Sequence, residues 1–461
     1  MAEPSGPGAV LEVPPLATEL GERFRAAGRE LALVGGVVRD MFLDRHRADA
    51  ELDLATDAPP QETIRILRGW TDRHYLVGVR FGTVGARKDD TLLEITTYRE
   101  EVYQLEHRKP AVTFAKDLES DLSRRDFTVN AMAIRLPEGT FVDPFGGVRD
   151  LAAKRLDTPL EPQIAFGDDP LRMLRAARFA AQLDVSPVPR VLRAIRDMRA
   201  RLSIVSAERI ADELSKLLVA DRPAAGLHIV VSTGLAELFL PELPALALEQ
   251  DPVHRHKDVL KHTFAVVERC EADLALRLAA LLHDVGKPQT REITPEGVQF
   301  HHHEVVGARM ARERLRALRF PANVVDDVAR LVEMHLRFHG YSEWSDSAVR
   351  RYVRDAGPLL DRLNQLTRAD CTTQNPQKAR HLAALQDDLE ERIARLAEEE
   401  NLQEMRPPLD GTQVMEHLGI GPGPAVGRAL HHLMQLRLDR GPIEEDEAYA
   451  LLDAWAAKQD R

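Results

Sequence analysis

Two acidic residues at alternate positions of one short segment have the types and spacing of a divalent-cation site. Glu51 and Asp53 belong to ELDLAT (51–56), which alternates apolar with acidic residues and predicts a half-buried strand. Both side chains would leave the same face of this strand. Because carboxylates so close together repel each other without a cation between them, we expect Mg²⁺, which also holds substrate phosphates. Such ions would activate an attacking hydroxyl and stabilise a leaving pyrophosphate, although an exposed edge strand that carries acids would have the same pattern.

Further charged residues follow along the chain. Glu94 lies on a second predicted strand, TLLEITTY (91–98), where it could add a third carboxylate or lie on a solvated surface. The segment RRDFTVNAM (124–132) begins with Arg124 and Arg125. Positive side chains beside an acidic strand fit a triphosphate site, and a surface ion pair would also explain them.

A glycine pair lies at a predicted junction between a strand and a helix. The apolar run LALVGG (31–36) ends at Gly35 and Gly36 and is followed by Arg39. Glycines let backbone amides approach a phosphate closely, the start of a helix adds partial positive charge, and Arg39 adds a bidentate contact. A plain structural turn has the same residues, and the pattern is not the dinucleotide GxGxxG.

One predicted helix carries an acid and an arginine that together could recognise a base. In DDPLRMLRAARF (168–179), Asp169 and Arg172 are three residues apart, and Arg175 and Arg178 continue the same face. Cytosine and adenine both present an exocyclic amine beside an unprotonated ring nitrogen, which suits a carboxylate acceptor next to a guanidinium donor. Uracil and guanine present the reverse pattern. An ordinary helix salt bridge is the alternative.

A histidine cluster occupies the middle of the chain, where nine of the 17 histidines fall within residues 254–339. The candidate ligands, in chain order, are His262, the pair His283 and Asp284, and Asp370, with His303 and His335 as further candidates. This mixed nitrogen and oxygen set resembles the HD superfamily of metal-dependent phosphohydrolases and predicts a divalent metal of unknown identity. A purely structural metal, or histidines that fill a core, are the alternatives.

Composition limits the class of protein. The chain has 461 residues and a formal charge of −12, which excludes a strongly basic nucleic-acid coat but not local basic patches. Two cysteines exclude a disulfide framework and indicate a reducing compartment. No uncharged run approaches the ~20 apolar residues of a membrane span, and the start has no signal peptide. We therefore expect a cytoplasmic protein with no membrane partner.

The elements that must position these residues change character along the chain. Strand signals are concentrated before about Pro170, and helical periodicity predominates after it. This predicts an α/β head followed by an all-α body. The predicted segments are a flexible arm (1–20), the head (21–160), neck helices that recognise the base (161–245), an HD domain (246–375) and a helical tail (376–461).

These segments, in this order, resemble the bacterial class II tRNA nucleotidyltransferases, the CCA-adding enzymes of the actinobacterial type with an HD domain. The similarity continues through FHHHEVVGA, RRYVRDAGPLL and LDGTQVMEHLGIGPGPAVG and covers nearly the whole chain. It implies a polymerase-β-like head, followed by neck, body and tail helices that hold tRNA. It also implies template-independent addition of C, C and A to the tRNA 3′ end from CTP and ATP, with release of pyrophosphate.

The resemblance also implies roles for individual residues. Gly36, Arg39 and Arg125 would contact the nucleotide, Asp169 and Arg172 would read the base, and Arg175 and Arg178 would complete the pocket. Glu51 and Asp53 would hold Mg²⁺ as the catalytic acids. The family pattern is usually Asp-x-Asp, and the extra methylene of Glu51 moves a carboxylate by ~1.5 Å, enough to disturb the octahedral geometry of Mg²⁺ and to lower the rate.

Other functions are compatible with parts of this pattern. Poly(A) polymerases and enzymes that add only CC or only A have the same head. The stretch 96–114 resembles a flexible loop that CC-adding forms lack, which favours full CCA addition. In an alternative hypothesis, Glu51 impairs the transferase activity of the head, and the HD site is the active phosphodiesterase or phosphatase. An RNA-binding protein without chemistry fits less well, because two sets of metal ligands are present.

Basic residues are concentrated in two stretches despite the acidic total. They are Arg190, Arg193, Arg196, Arg199 and Arg201 in one, and Arg309, Arg312, Arg314, Arg316 and Arg319 in the other. Such stretches could follow the phosphate backbone of a tRNA acceptor arm, which would be recognised by shape. Solvated helix faces are the alternative.

Overall fold

The fold is described here from a computed structural model of the chain. Its described residues are 12–45, 51–75, 82–102, 111–114, 117–248, 258–295, 297–373, 375–400 and 406–459. They form two compact units, Met1–Pro241 and Glu242–Arg461. No helix among these residues has the length and apolar character needed to span a membrane.

The first part of unit 1 combines strands with short helices. Its elements are α1 (Pro15–Ala26), β1 (Leu31–Val34), α2 (Gly36–Phe42), β2 (Leu52–Thr56), α3 (Pro60–Leu67), β3 (Arg73–Tyr75), β4 (Thr83–Lys88), β5 (Thr91–Thr97), β6 (Arg99–Val102), β7 (Ala111–Phe114), α4 (Leu118–Ser123), β8 (Ala133–Leu136), β9 (Thr140–Val142), α5 (Gly147–Ala152) and β10 (Arg155–Leu156).

A mixed sheet organises this part of the unit. Within the described residues it has seven strands in the order β3-β4-β5-β2-β1-β8-β9. Strand β1 lies between β2 and β8, and all four of its apolar residues are buried, as expected for a central strand. Strands β2 and β5 are parallel, and Asp53 is the register partner of Glu94. The two acids therefore leave the same face of the sheet on neighbouring strands.

Helices follow in the rest of unit 1. They are α6 (Pro162–Asp168), α7 (Leu171–Leu183), the short strand β11 (Ser186–Pro187), α8 (Pro189–Met198), α9 (Ala207–Leu218), α10 (Pro223–Ser232) and α11 (Ala236–Phe239). Helix α7 packs against α9 and α10. Most of its apolar residues are buried, as is Arg178, while Arg175 bonds to Asp126 of the head.

The described residues of unit 2 are helical apart from one hairpin. Its elements are α12 (Val259–Arg269), α13 (Leu274–Leu282), α14 (Lys287–Thr290), β12 (Arg291–Thr294), β13 (Gly297–Phe300), α15 (His303–Ala317), α16 (Ala322–Met334), α17 (Asp346–Ala356), α18 (Leu360–Asp370), α19 (Pro376–Glu400), α20 (Gly411–Leu418), α21 (Pro424–Arg440) and α22 (Glu445–Gln459).

Helix α13 forms the centre of unit 2. Its sequence LALRLAALL is buried almost throughout, and it contacts α12, α16 and α18. A helix that is apolar on all sides must be surrounded by others. His283, which directly follows α13, is therefore placed among these helices.

The predicted fold class is confirmed. The predicted strands at 31–36, 51–56 and 91–98 are β1, β2 and β5, and the Ala- and Arg-rich stretches after residue 170 are helices. The hairpin of β12 and β13 was not predicted, because each of its strands has only four residues. The five predicted segments stay predictions, and the division between the two units falls after Pro241.

Candidate active site

Most of the residues predicted to act on a nucleotide line one cavity in unit 1, with a volume of about 530 Å³. They are Gly35, Gly36, Arg39, Asp53, Arg125, Asp169, Arg172, Arg175 and Arg178, together with Glu94. The fold thus brings together residues that lie as far as 143 positions apart in the sequence. Glu51 does not line this cavity; it is exposed at the position before β2.

Asp53 is the acid with the most perturbed environment in this cavity. Burial, together with the negative charges of Glu94 and Glu51, raises the pKa of Asp53 to about 6, although the positive charge of Arg125 lowers it. A carboxylate in such surroundings is costly to keep charged unless a cation is bound. The donor set of Asp53 and Glu94 therefore fits a hard divalent ion such as Mg²⁺, whereas the role of Glu51 as a ligand stays a prediction.

Gly35 lies between the acid and an arginine. Its φ is +76°, and it forms the cap of α2. A Cβ at this position would lie 2.9 Å from Nη1 of Arg125 and 3.6 Å from Oδ2 of Asp53. The close approach of the backbone to both charged groups therefore depends on Gly35, whereas the predicted approach to a phosphate stays a prediction. At Gly36 a Cβ would make only ordinary contact with Arg39, at 3.5 Å.

Replacing Gly35 with Ala is expected to lower kcat/KM for nucleotide transfer about 10²-fold, because the added Cβ displaces the Arg125 guanidinium, and misplacement of a binding group by about 1 Å has effects of this size. Gly139→Ala is the matched control, since Gly139 also has a positive φ of +70° but nothing within 4 Å of the added atom. Both variants should lose about 1 kcal/mol of stability from backbone strain. Equal transfer rates in the two variants would contradict the argument.

A buried carboxylate holds two cavity side chains in place. Asp126 accepts hydrogen bonds from Nε and Nη2 of Arg175, at 2.9 and 2.6 Å, and from the amide of Asn130 at 2.9 Å. Asn130 in turn accepts a 2.7 Å bond from Nη1 of Arg39. Burial alone would raise the pKa of Asp126, but Arg175 and Asn130 hold it at about 2. Asp126 is therefore ionised, and it orients Arg175 toward the cavity.

Helix α9 completes this network. Glu213 of α9 is 2% exposed and accepts a 3.3 Å bond from Nη1 of Arg175 and a 2.6 Å bond from Nε of Arg178. The Arg178 guanidinium also lies 4.1 Å from the ring centroid of Phe179. Arg39, Asn130, Asp126, Arg175, Glu213 and Arg178 form an alternating chain, which we call the arginine network.

The local geometry of Asp169 differs from the predicted helix pair with Arg172. Asp169 lies between α6 and α7 in extended backbone, and its Oδ1 accepts a 3.1 Å bond from the Leu171 amide. Its Oδ2 accepts a 2.7 Å bond from Arg209 of α9, while Nη1 of Arg172 donates to the Ala165 carbonyl at 3.3 Å. The reason is that Pro170 starts α7 only after Asp169, which leaves the carboxylate outside the helical spacing.

Sequence reasoning missed Arg209 and Glu213 as parts of the site. Both lie on the predicted helix AERIADELSKLL (207–218), where their spacing of four residues fits an ordinary surface pair. Asp121, buried beneath Arg124 and Arg125, was missed as well. No sequence signal links Arg209 to Asp169, 40 positions away, or Glu213 to Arg175, 38 positions away.

The predicted HD residues also come together, in unit 2. His262, Asp284 and Asp370 line a second cavity of about 690 Å³, and His283 is buried beside them. Nε2 of His262 lies 2.8 Å from Oδ1 of Asp370, and Nε2 of His283 lies 3.3 Å from Oδ2 of Asp284. The ligand atoms of His262, His283 and Asp284 lie within 4.8 Å of one another.

The electrostatics of this cluster suit a metal. Burial works against a charged Asp284, yet His283, His303 and Lys287 hold the pKa of its carboxyl well below its usual range. Asp284 therefore carries the negative charge that a metal ligand requires. Its neighbours supply the imidazole nitrogens that divalent transition ions prefer.

Comparisons with known proteins agree with this geometry. The family models that match are the poly A polymerase head domain over residues 31–157, the probable RNA- and SrmB-binding site of polymerase A over 185–246, and the HD domain over 259–401. The sheet that carries Asp53, followed by a helical body with an HD domain, thus defines a nucleotidyltransferase with a poly(A)-polymerase-type head.

Individual relatives identify the family within this class of nucleotidyltransferases. The A-adding tRNA nucleotidyltransferase of Deinococcus radiodurans is 36% identical over 359 residues, 75% of this chain and 81% of the relative. The CC-adding tRNA nucleotidyltransferase of Thermus thermophilus is 34% identical over 443 residues, 92% of this chain and 93% of the relative. The Bacillus stearothermophilus CCA-adding enzyme in complex with CTP has the same fold, with a TM-score of 0.73 at 24% identity over 97% of this chain and 99% of that one. The chain belongs to the bacterial tRNA nucleotidyltransferase family that includes the CCA-adding enzymes.

Proposed function

We propose that this protein adds C, C and A to the 3′ end of tRNA from CTP and ATP, without a nucleic-acid template and with release of pyrophosphate. The observation that carries the proposal is the single cavity in which acids Asp53 and Glu94 face several arginines. The names of the relatives support the reaction, since both act on tRNA ends. The fold shared with an enzyme solved in complex with CTP supports the nucleotide.

The residues that line different parts of the cavity have different roles in this reaction. Mg²⁺ held by Asp53, with Glu94 and Glu51 as further ligands, would activate the tRNA 3′ hydroxyl and neutralise the leaving pyrophosphate. Arg125 and Arg39 bind the triphosphate, and the bare backbone at Gly35 lets it approach. The reacting groups are thus oriented by the head.

The wall of the cavity that carries Asp169 and Arg172 selects the base. Asp169 accepts a hydrogen bond from the exocyclic amine that cytosine and adenine share, and Arg172 donates to the neighbouring ring nitrogen. A carboxylate offers about four lone-pair positions, so the bonds from Leu171 and Arg209 leave capacity for the base. Arg175 and Arg178, held by Asp126 and Glu213, keep this wall rigid.

The number of nucleotides added distinguishes close relatives, which add only A or only CC. The predicted flexible loop at 96–114 supports full CCA addition. Strands β6 and β7 within this stretch form an antiparallel hairpin. Residues 103–110 between them lie outside the described part of the chain.

Exposed arginines support the acceptor arm of tRNA as the partner. Arg193, Arg196 and Arg199 of the first predicted basic stretch are exposed. Arg190 instead binds Asp157 at 2.8 Å, and Arg314 of the second stretch binds Glu242. Phosphate contacts are therefore expected from only part of each stretch.

A sequencing-gel assay tests the proposal. Purified protein is incubated with Mg²⁺ and a tRNA transcript that ends at the discriminator base, with CTP alone, ATP alone or both. We expect two additions with CTP and a third only when ATP is also present. An open-ended tail with ATP would indicate a poly(A) polymerase. Addition of CC only, or of A only to a transcript that ends in CC, would indicate a partial enzyme.

The HD cluster favours a second candidate function, metal-dependent hydrolysis of phosphate esters on nucleotides or RNA 3′ ends. The supporting observation is that four charged or imidazole ligands converge at the base of the cavity in unit 2. Hydrolysis that persists in Asp53→Ala but disappears in Asp284→Asn would support it. If no hydrolysis occurs with any divalent ion, the cluster has no hydrolytic function.

A further inference from the structure

Three cavity arginines lie around a single aromatic ring. Phe179 of α7 lines the cavity in unit 1 but is only 3% exposed. The guanidinium groups of Arg178, Arg175 and Arg39 lie 4.1, 5.3 and 5.5 Å from the centroid of this ring. All three distances are within the ~6 Å over which the negative face of an aromatic ring attracts a cation. The ring therefore attracts three of the charged groups predicted to contact the nucleotide.

Local spacing explains only part of this arrangement. Arg175 precedes Phe179 by four residues on α7, so their side chains lie on the same face of the helix. Arg178 directly precedes Phe179, whereas Arg39 comes from α2, far earlier in the chain. Phe179 is thus a common contact of arginines from two separate helices.

The arginine network holds these guanidinium groups through hydrogen bonds in their own planes. Outside the network, Arg39 also donates from Nε to Asp40 at 2.8 Å. Arg178 donates from Nη1 to Gln182 at 2.7 Å. Such bonds fix the direction of each guanidinium edge, but they allow the group to tilt. A ring against the face of the group restricts this tilt, because tilting moves the positive charge away from the ring.

The ring of Phe179 is itself held by the head. The buried ring of Phe127 meets it edge to face, with centroids 5.7 Å apart and an angle of 83° between the planes. Aromatic pairs prefer this arrangement. Phe127 directly follows Asp126, the carboxylate that holds Arg175. The ring and the carboxylate that orient Arg175 are therefore supported by the same segment of the head.

We propose that Phe179 is a positioning residue for nucleotide binding, and that its ring holds Arg39, Arg175 and Arg178 in their binding orientations. This inference rests on the nucleotide transfer proposed above. Arg39 is assigned to the triphosphate, whereas Arg175 and Arg178 belong to the part of the cavity that receives the base. Weaker contacts with the ring should therefore weaken the binding of CTP and ATP alike. The binding of tRNA should not change, because none of the three arginines is assigned to it.

Fluorinated phenylalanines test this proposal, because each added fluorine weakens the attraction of the ring face for a cation while the shape of the ring is nearly kept. Monofluoro-, difluoro- and trifluorophenylalanine replace Phe179 in the full-length chain. Each protein is titrated with CTP and with ATP by calorimetry in the presence of Mg²⁺, and the KM for tRNA is measured in the transfer assay. We expect the Kd of both nucleotides to rise stepwise along the series, to about tenfold for the trifluorinated ring, which is the size of one desolvated contact between a cation and a ring. The KM for tRNA should stay constant.

The same series at Phe24 of α1 is the matched control. Phe24 is also buried in unit 1, and no arginine or lysine in the described ranges lies over its ring. Its fluorination should leave both nucleotide Kd values unchanged. A constant Kd along the Phe179 series, or an equal rise along the Phe24 series, would overturn the role of Phe179 alone. A parent protein that neither binds CTP nor extends tRNA would reject the proposed function, and this inference with it.

Discussion

Replacing Asp53 with Ala is expected to lower nucleotide transfer at least about 10³-fold, since loss of a metal ligand removes several kcal/mol of transition-state stabilisation, and each 1.36 kcal/mol is tenfold in rate. The measurement is kcat/KM for the first CMP added to a tRNA transcript. Robust incorporation by this variant would reject the assignment of the active site.

Stability separates this effect from misfolding. The pKa of Asp53 is raised from its ordinary value to about 6, so its contribution to stability is present at acidic pH and is lost as the pH rises through 6. At pH 7 without metal, Asp53→Ala should therefore unfold at the same temperature as the parent or higher. Asp90→Asn, in the exposed turn between β4 and β5, is the control and should keep full transfer.

The neighbouring acid should respond differently. Glu51 is exposed and lies outside the cavity lining, whereas the resemblance to CCA-adding enzymes predicts Asp at this position. The Glu51→Asp variant is expected to have equal or higher transfer activity, because a shorter side chain restores the usual spacing of the two carboxylates. A loss of activity would mean that the longer side chain is required here.

Replacing Asp169 with Ala is expected to lower the preference for CTP over UTP by about 5- to 150-fold, because a good pair of hydrogen bonds to a base edge is worth ~1–3 kcal/mol of discrimination. The carboxylate is the group that distinguishes an exocyclic amine from a carbonyl. The measurement compares kcat/KM for single CMP and UMP additions to the same transcript.

Asp212→Ala is the matched control for this variant. Asp212 is an exposed carboxylate on α9, the helix that also carries Arg209, and it accepts a 2.6 Å bond from Lys216 on the surface. It should leave the preference for CTP unchanged. If Asp169→Ala keeps the parent preference, base selection lies elsewhere in the cavity.

The parts of the site that the sequence predicted are those set by local spacing. Alternation of apolar and acidic residues placed Asp53 on a strand, and the apolar run before His283 and Asp284 placed that pair at the end of a buried helix. In both segments, residues that are close in sequence determine which side chains are buried. The same local information predicted strands β1, β2 and β5 of the head and the helical character of the body.

The parts that the sequence did not predict depend on tertiary pairing. Arg209 reaches Asp169 across 40 positions, and Glu213 reaches Arg178 across 35. A charged residue on a helix has many possible partners, and only the packing of α7 against α9 selects one. For Glu51, local spacing is not enough to predict the position of the side chain. Glu51 has the spacing from Asp53 of a metal-binding pair, yet its side chain lies outside the cavity lining.

The arginine network limits which substitutions this pocket can tolerate. Loss of one partner from a buried ion pair costs about 3–5 kcal/mol, because the remaining charge is left without a counter-ion. Asp126, Arg175 and Glu213 can therefore be exchanged only together, and variation at one of them should be accompanied by variation at the others. Asp169 and Arg209, whose pair is partly open to solvent, are free of this constraint. New nucleotide preferences are thus more accessible by substitution at the base-reading wall than within the network behind it.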